Sequence, residues 1–235
     1  MLTPSQTSAY DAIFAPFDAA PADRPFVVAQ LGQSLDGRIA TLTGASRWIN
    51  GAAAIDHLHR LRASVDAVVV GRGTVVADDP LLTVRRVTGR NPARVVIDPD
   101  GHASPDARIF AADGARRIII RRAVGAAPAG VDTLVVAPRA EGMSPSDIIR
   151  GLFDLGLRKI LIEGGATTVS RFIDARAVDR LHVLVSPMIL GSGVTGLSLA
   201  AISGLDGALR PQARAHILDG RDVLFDCDLR QLSKG

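Results

Sequence analysis

Cysteine and lysine are nearly absent from this sequence. The single cysteine, Cys227, excludes an internal disulfide framework and a thiolate metal cluster. Its setting in the apolar run VLFDCDL reads as a strand or core position. Lysine occurs only at Lys159 and Lys234, so nearly all of the 27 basic side chains are arginine. Arginine forks suit phosphate groups, although compositional bias explains the excess equally well. Aromatic residues make up 4% and the net charge is +3, which gives neither the stacking rings nor the basic stripe of a nucleic-acid binder. No apolar run reaches the ~20 residues of a membrane helix. The opening MLTPSQTSAYDAIFAPFDAAPADRP lacks the basic start and apolar block of a signal peptide. A cytoplasmic protein with no nucleic-acid or membrane partner is therefore expected. H-E-x-x-H is missing, and His57 and His59 would face different sides of a helix, so no metal is expected. G-x-S-x-G is missing too, which weighs against a serine hydrolase of the common α/β kind.

What is present is globular. Hydrophobic residues make up 47% of 235 positions, and no low-complexity tract or internal repeat interrupts them. Residues 1–24, rich in Ala, Pro and Asp, read as an irregular lead-in to a single domain over 25–232. Strands are predicted at 26–31, 66–70, 93–98, 116–120, 132–136 and 158–163, with a long one over 179–190. Asn50 is the expected cap of a helix starting near Gly51. Ser144, Pro145, Asp147 and Gly156 bracket a second helix, and 166–176 a third. The sequences ARAHILDG and RDVLFDCDL read as a closing hairpin turning at Asp219-Gly220. The pattern is that of an α/β protein: a mixed, mostly parallel sheet flanked by helices, ending in an antiparallel hairpin.

Three glycine loops compete for a nucleotide. GSGVTG (191–196) matches G-x-G-x-x-G, but too little chain follows to complete a dinucleotide-binding unit, so a turn is expected. GRGTVV (71–76) follows a strand; Gly71 and Gly73 would let backbone approach a ligand, and Thr74 offers a hydroxyl. EGGATT (163–168) runs from a strand through Gly164 and Gly165 into a helix whose free N–H groups at Ala166, Thr167 and Thr168 favour an anion. Asp78 and Asp79 before Pro80 read as a helix end. Trp48 is either core or a flat wall for a ring.

In order along the chain, QSLDGRIA, GASRWI, HRLRASVDAVVVGRGTVVADDPLLTVR, RVVID, ILIEGGATTVSRFI and VDRLHVLVSPMILGSG closely resemble the riboflavin-biosynthesis pyrimidine reductases. These form the reductase half of a bifunctional deaminase–reductase and are related in fold to dihydrofolate reductase. The resemblance covers roughly residues 26–229 and implies an NADPH-dependent reduction. The ribosyl group of 5-amino-6-(5-phosphoribosylamino)uracil becomes a ribityl chain, in a homodimeric enzyme.

Matched by motif, Gly32, Trp48, Gly71, Gly73, Thr74, Asp78 and the segment from Gly164 to Thr168 would line the cofactor. Ser46, Arg62, Leu82, Arg85 and Glu163 would hold the substrate. Asp36, Asp78 and Glu163 are candidate proton donors. Arg121 and Arg122 are the expected partners of a cofactor 2′-phosphate. The zinc-deaminase signatures H-A-E and P-C-x-x-C are missing, so a stand-alone reductase is implied. Pro99 and the bulky Arg72 depart from the family pattern beside the cofactor. Two rivals remain: a reductase of the same fold acting on a dihydropterin, and an NADPH-binding module without turnover. The strand VLVSPMIL suits either a subunit interface or the core.

Overall fold

A computed structural model describes residues 4–47, 49–219 and 221–230. The chain runs α1 (Pro4–Asp18), β1 (Phe26–Ser34), β2 (Arg38–Thr41), α2 (Ala52–Ala63), β3 (Ala67–Gly71), α3 (Arg72–Asp78), β4 (Ala93–Ile97), β5 (Arg117–Arg121), β6 (Asp132–Val135), β7 (Pro138–Arg139), β8 (Gly142–Met143), α4 (Pro145–Asp154), β9 (Lys159–Glu163), α5 (Ala166–Asp174), β10 (Arg180–Ser186), β11 (Gly193–Thr195), β12 (Gln212–Leu218) and β13 (Asp222–Asp228).

One sheet carries the fold, in the order β12-β13-β10-β1-β9-β3-β4-β5-β6. Pairs from β10 through β6 are parallel; β13 and β12 are antiparallel. The central strands are apolar on both faces, as a sheet covered by helices on both sides requires. Their period of two divides the core. Val27, Ala29, Val69, Ile160 and Ile162 face Leu152 and Phe172 of α4 and α5. Phe26, Val28, Val68 and Leu161 face Phe17 of α1, Leu61 of α2 and Val75 of α3.

The mixed sheet and closing hairpin agree with the sequence expectation. Several local expectations do not. The lead-in is not irregular: Pro4–Asp18 is a helix, and its Ile13 and Phe17 are buried. Phe17 meets Phe26 edge-on at 5.4 Å between ring centroids. The cap of α2 is Gly51, not Asn50; its N–H donates to Asp222 Oδ2 at 2.6 Å, so the helix start is tied to the distant β13. The long strand ends at Ser186, and β10 lies between β1 and β13, so VLVSPMIL begins in the sheet interior rather than at an edge. GSGVTG is more than a turn: Gly193–Thr195 pairs antiparallel with β2. The hairpin turn at Gly220 lies outside the described residues.

A buried polar chain ties α2 to the hairpin side of the sheet. His57 Nε2 and His182 Nδ1 lie 3.0 Å apart, and His182 Nε2 is 3.3 Å from Asp226 Oδ1. Burial pushes both imidazoles below their ordinary value. Burial alone would raise Asp226, but the adjacent His182 and Arg180 overcome it and hold the carboxyl at about 2. Among the described residues no helix is long and apolar enough to cross a membrane.

Because Phe17 is 1% exposed, Phe17→Ala should cost about 3–5 kcal/mol in denaturant unfolding. A loss below about 0.5 kcal/mol would mean that α1 is an appendage rather than part of the core.

Candidate active site

The carboxyl ends of β1, β9 and β3 are neighbours, and parallel sheets present ligands at such ends. Val69 of β3 is in register with Ile162 of β9, so the turns that follow these strands emerge side by side. The first turn carries Gly71, Gly73 and Thr74; the second carries Gly164 and Gly165. They touch. A Cβ at Gly71 would lie 2.5 Å from Thr168 Oγ1, and one at Gly165 would lie 3.0 Å from Thr74 Oγ1. Gly164 and Gly165 have φ of 82° and 71°, the left-handed region that only glycine adopts freely. A Cβ at Gly73 would meet nothing within 4 Å, so that stretch of backbone borders open space.

Gly165 is the N-cap of α5 and offers no side chain, and the helix ladder begins only with Val169 N–H to Gly165 O. The N–H groups of Ala166, Thr167 and Thr168 therefore point out of the helix start with no intrahelical acceptor. Two hydroxyls, a helix N-terminus and bare glycine backbone form a cradle suited to the phosphates of a dinucleotide. A side chain at Gly71 would fill it.

Beside the cradle lies a cleft of about 380 Å³ whose charged lining is Arg47, Arg62, Arg85 and Arg108 with Asp78 and Asp79. Arg62 is its fixed point. It reaches Glu163 with two parallel hydrogen bonds, Nε to Oε2 at 2.8 Å and Nη2 to Oε1, and donates from Nη1 to Thr83 O at 3.1 Å. Both partners are buried, at 6% and 8% exposure. A guanidinium with five N–H donors keeps two for a ligand after these three bonds.

Arg85 is held through its backbone: its N–H donates to His59 Nδ1 at 3.0 Å, and its Nη1 donates to Thr83 Oγ1 at 3.0 Å. Burial first, then the charges of Arg62 and Arg108, lower the Arg85 pKa. Glu163 opposes the shift without cancelling it. Burial, with Arg62 and Arg85 next, holds His59 at about 4, so the ring is neutral and its Nδ1 accepts. Asp79, the left-handed C-cap of α3 at φ 39°, accepts the Arg108 N–H at 2.8 Å and so fixes that arginine at the rim.

The remaining sequence candidates fall into place unevenly. Asp78 ends α3 at the cleft, exposed, with no hydrogen bond or ion pair among the described residues. Leu82 lines the cleft, but its side chain is buried in the core beneath and its φ is 53°. Gly32 serves Asn50: a Cβ there would sit 2.2 Å from Asn50 Oδ1. Ser46 is half-buried in the loop before Arg47, and Trp48 lies outside the described residues.

Asp36 is a structural acceptor. It takes hydrogen bonds from Ser34 Oγ at 2.6 Å and from the N–H groups of Leu190 and Gly191, and the Ser34 and Leu190 bonds hold its carboxyl at about 2. It carries no proton to give. Arg122, just past the carboxyl end of β5, pairs with Asp100, and Arg72 stands at the first turn of α3 with its Nε 4.0 Å from Asp98 Oδ1. Sequence reading missed Arg47 and Arg108. Arg47 lay inside the quoted GASRWI block; Arg108 had no local signal, because only the tertiary link to Asp79 brings it here. Among the described residues no cluster of three or more His, Cys, Asp or Glu is placed to hold a metal.

A parallel sheet that closes with an antiparallel hairpin, with its ligand cradle at the carboxyl edge, defines the dihydrofolate-reductase-like class of α/β proteins. The dihydrofolate reductase of Enterococcus faecalis superposes over 88% of this chain and 97% of its own with a TM-score of 0.52, at 13% identity. Within that class, residues 25–223 match the RibD C-terminal domain, and the chain belongs to that family.

Relatives include the riboflavin biosynthesis protein RibD of Aquifex aeolicus, 34% identical over 74% of this chain and 49% of that protein. The 2,5-diamino-6-ribosylamino-4(3H)-pyrimidinone 5′-phosphate reductase of Methanothermobacter thermautotrophicus is 32% identical over 86% of this chain and 97% of its own length. Among solved structures, a deaminase/5-amino-6-(5-phosphoribosylamino)uracil reductase from Thermotoga maritima aligns with TM-score 0.76 and 30% identity, over 93% of this chain and 60% of that one. The chain thus spans about half the length of the RibD protein it matches.

The His59 geometry sets a pH dependence. The folded state favours the neutral ring, so between pH 6.5 and about 4 it binds fewer protons than the unfolded chain. The His59 contribution to stability should be complete above pH 6.5, fall as pH drops through that window and level off below it. In His59→Asn, whose side-chain oxygen can still accept the Arg85 N–H, the acid limb of a stability–pH curve should be shallower than in the parent. Superimposable curves would remove His59 from the account.

Proposed function

We propose that this chain is an NADPH-dependent reductase of 5-amino-6-(5-phosphoribosylamino)uracil, acting in riboflavin biosynthesis. The observation that carries the reading is the meeting of the Thr74 turn with the Gly164–Thr168 turn, directly beside a cleft of four arginines. A dinucleotide and a phosphorylated small molecule need such sites next to each other. The name of the near full-length Methanothermobacter relative supports the same chemistry.

The cradle residues Gly71, Gly73, Thr74 and Gly164–Thr168 would hold the cofactor. When bound, reduced nicotinamide supplies a hydride to C1′ of the ribosyl group. The C1′–O4′ bond breaks and opens the sugar ring, its electron pair goes to O4′, and O4′ takes one proton while the C1′–N bond is kept. Hydride plus proton convert the ribosylamino group to ribitylamino. The chain supplies position and charge for this. Arg85, Arg47 and Arg108, with the two spare donors of Arg62, grip the 5-phosphate.

Glu163 has both oxygens engaged by Arg62, which makes it the post that aims that guanidinium rather than a proton source. Asp78 faces the same cleft without a partner among the described residues and is the carboxylate placed to relay the proton. Arg72, exposed at the first turn of α3, joins Arg121 and Arg122, at the carboxyl end of β5, as a cation for a cofactor 2′-phosphate. The arginine cleft favours this substrate over a dihydropterin, which has no phosphate to fill it. Exposed Ile217 on the edge strand β12 and half-exposed Phe225 on β13 support pairing of two copies as a homodimer.

Purified protein with NADPH and the phosphoribosylaminopyrimidine should lose the reduced-nicotinamide absorbance. No decay above background would end the reading, and tight NADPH binding alone would point to a module without turnover. Arg85→Ala should raise KM for the phosphorylated substrate about tenfold or more while hardly changing KM for its dephosphorylated form. Arg72→Ala should lower kcat/KM for NADPH about tenfold and leave that for NADH unchanged. Equal losses with both cofactors would take Arg72 off the 2′-phosphate.

A further inference from the structure

A second cavity lies at the other end of the sheet. About 960 Å³ opens where the chain enters β1, between α4, the end of α5 and the residues just past β13. Its volume is in the upper range of small-molecule sites. The floor is apolar: Val27, Ile149 and Val178 are buried, and Phe153, Leu209 and Leu229 form half-buried walls. The rim carries four cations, Arg24, Arg150, Arg176 and Arg230, and two carboxylates, Asp179 and Asp206. Two of the cations are neutralised in place, Arg24 by Asp179 at 3.1 Å and Arg230 by Asp228. Arg150 and Arg176 have no carboxylate partner among the described residues.

Arg176 is also in an unfavourable backbone position. Helices α4 and α5 end in the same way. In α4, Gly156 N–H donates to Phe153 O at 2.8 Å and Leu157 N–H to Leu152 O at 3.0 Å; in α5, Arg176 N–H donates to Ile173 O and Ala177 N–H to Phe172 O, both at 2.9 Å. This pair of bonds turns the first residue past the helix cap left-handed, a position that favours glycine. Gly156 takes it at φ 83°, but at φ 53° stands Arg176. An arginine here strains the backbone, and its side chain makes no hydrogen bond or ion pair among the described residues in return. Strain retained without an internal partner points to an external one.

We infer that this cavity is a second ligand site, distinct from the cleft at the carboxyl edge, for a phosphorylated aromatic molecule of mononucleotide size. The ring system lies against Phe153 and the aliphatic floor. Its phosphate meets the two uncompensated guanidiniums, Arg150 and Arg176. A cation is repelled by the rim, and a neutral ring leaves both arginines unanswered. The inference does not depend on the reductase reading, because none of these residues borders the cradle or the arginine cleft.

The test uses the full chain and two molecules that share a ring but differ in a phosphate: flavin mononucleotide and riboflavin, titrated by their own fluorescence, with AMP as a competitor. Flavin mononucleotide should bind saturably, more weakly as salt rises, and about tenfold or more tighter than riboflavin. Arg176→Gly should weaken that binding about tenfold while the melting temperature holds or rises, since glycine relieves the turn. Arg150→Gln, on the exposed side of α4, should weaken it as well and serves if the glycine variant does not fold. Arg85→Ala should bind as the parent does. The inference falls if neither flavin mononucleotide nor AMP binds up to about 1 mM. It also falls if riboflavin binds equally well, or if affinity is lost in Arg85→Ala and kept in Arg176→Gly and Arg150→Gln.

Discussion

The contact on which the functional edge of this molecule depends is the approach of the Gly71 backbone to the Thr168 hydroxyl. It exists because β3 and β9 are hydrogen-bonded neighbours in parallel register, so the turns leaving them have nowhere to go but past each other. Glycine makes the approach sterically possible. The threonine hydroxyls and the start of α5 then give the shared space its polarity. Neither turn is a site alone. A strand order that separated β3 from β9 would leave two ordinary loops.

A second constraint holds the arginine cleft together. The Arg62–Glu163 pair is buried and bidentate, and it spans α2 and β9. Such a pair is a modest source of stability, because desolvating two charges offsets most of their attraction; removing one partner is severe, about 3–5 kcal/mol, because it strands the other. Its value is geometric. It fixes one guanidinium plane at the wall between cradle and cleft, and the crowding of Arg85 and Arg108 is arranged around it. Four arginines against Asp78, Asp79 and Glu163 leave the cleft a small positive excess.

Much of this was legible in the sequence, for physical reasons that differ by element. The central strands announce themselves because a sheet buried on both faces needs uninterrupted apolar, β-branched runs such as VVV and III. The Thr74 and Gly164–Thr168 turns were legible as loops after strands, but glycine there serves an ordinary strand-to-helix turn as well, so their meeting was not. What failed was of two kinds. Helix α1 was hidden by its prolines, although Tyr10, Ile13, Phe14 and Phe17 follow helical spacing and pack inward. The capping of α2 by Asp222, the pairing of β2 with β11 and the placing of Arg108 by Asp79 are tertiary, and no local pattern encodes them. Asp36 stood beside Asp78 and Glu163 as a candidate because a carboxylate in a turn looks the same in sequence whether it serves chemistry or staples a loop.

Leu82 draws one last consequence. Its left-handed backbone would relax in an isolated peptide, but its buried side chain anchors the segment to the core below and denies it that freedom. The stretch carrying Thr83 and Arg85 is thus tensioned like a clip rather than hinged like a door. For the phosphate of the proposed substrate there is little slack to take up, so its capture should proceed with small ordering entropy and without a slow closing step.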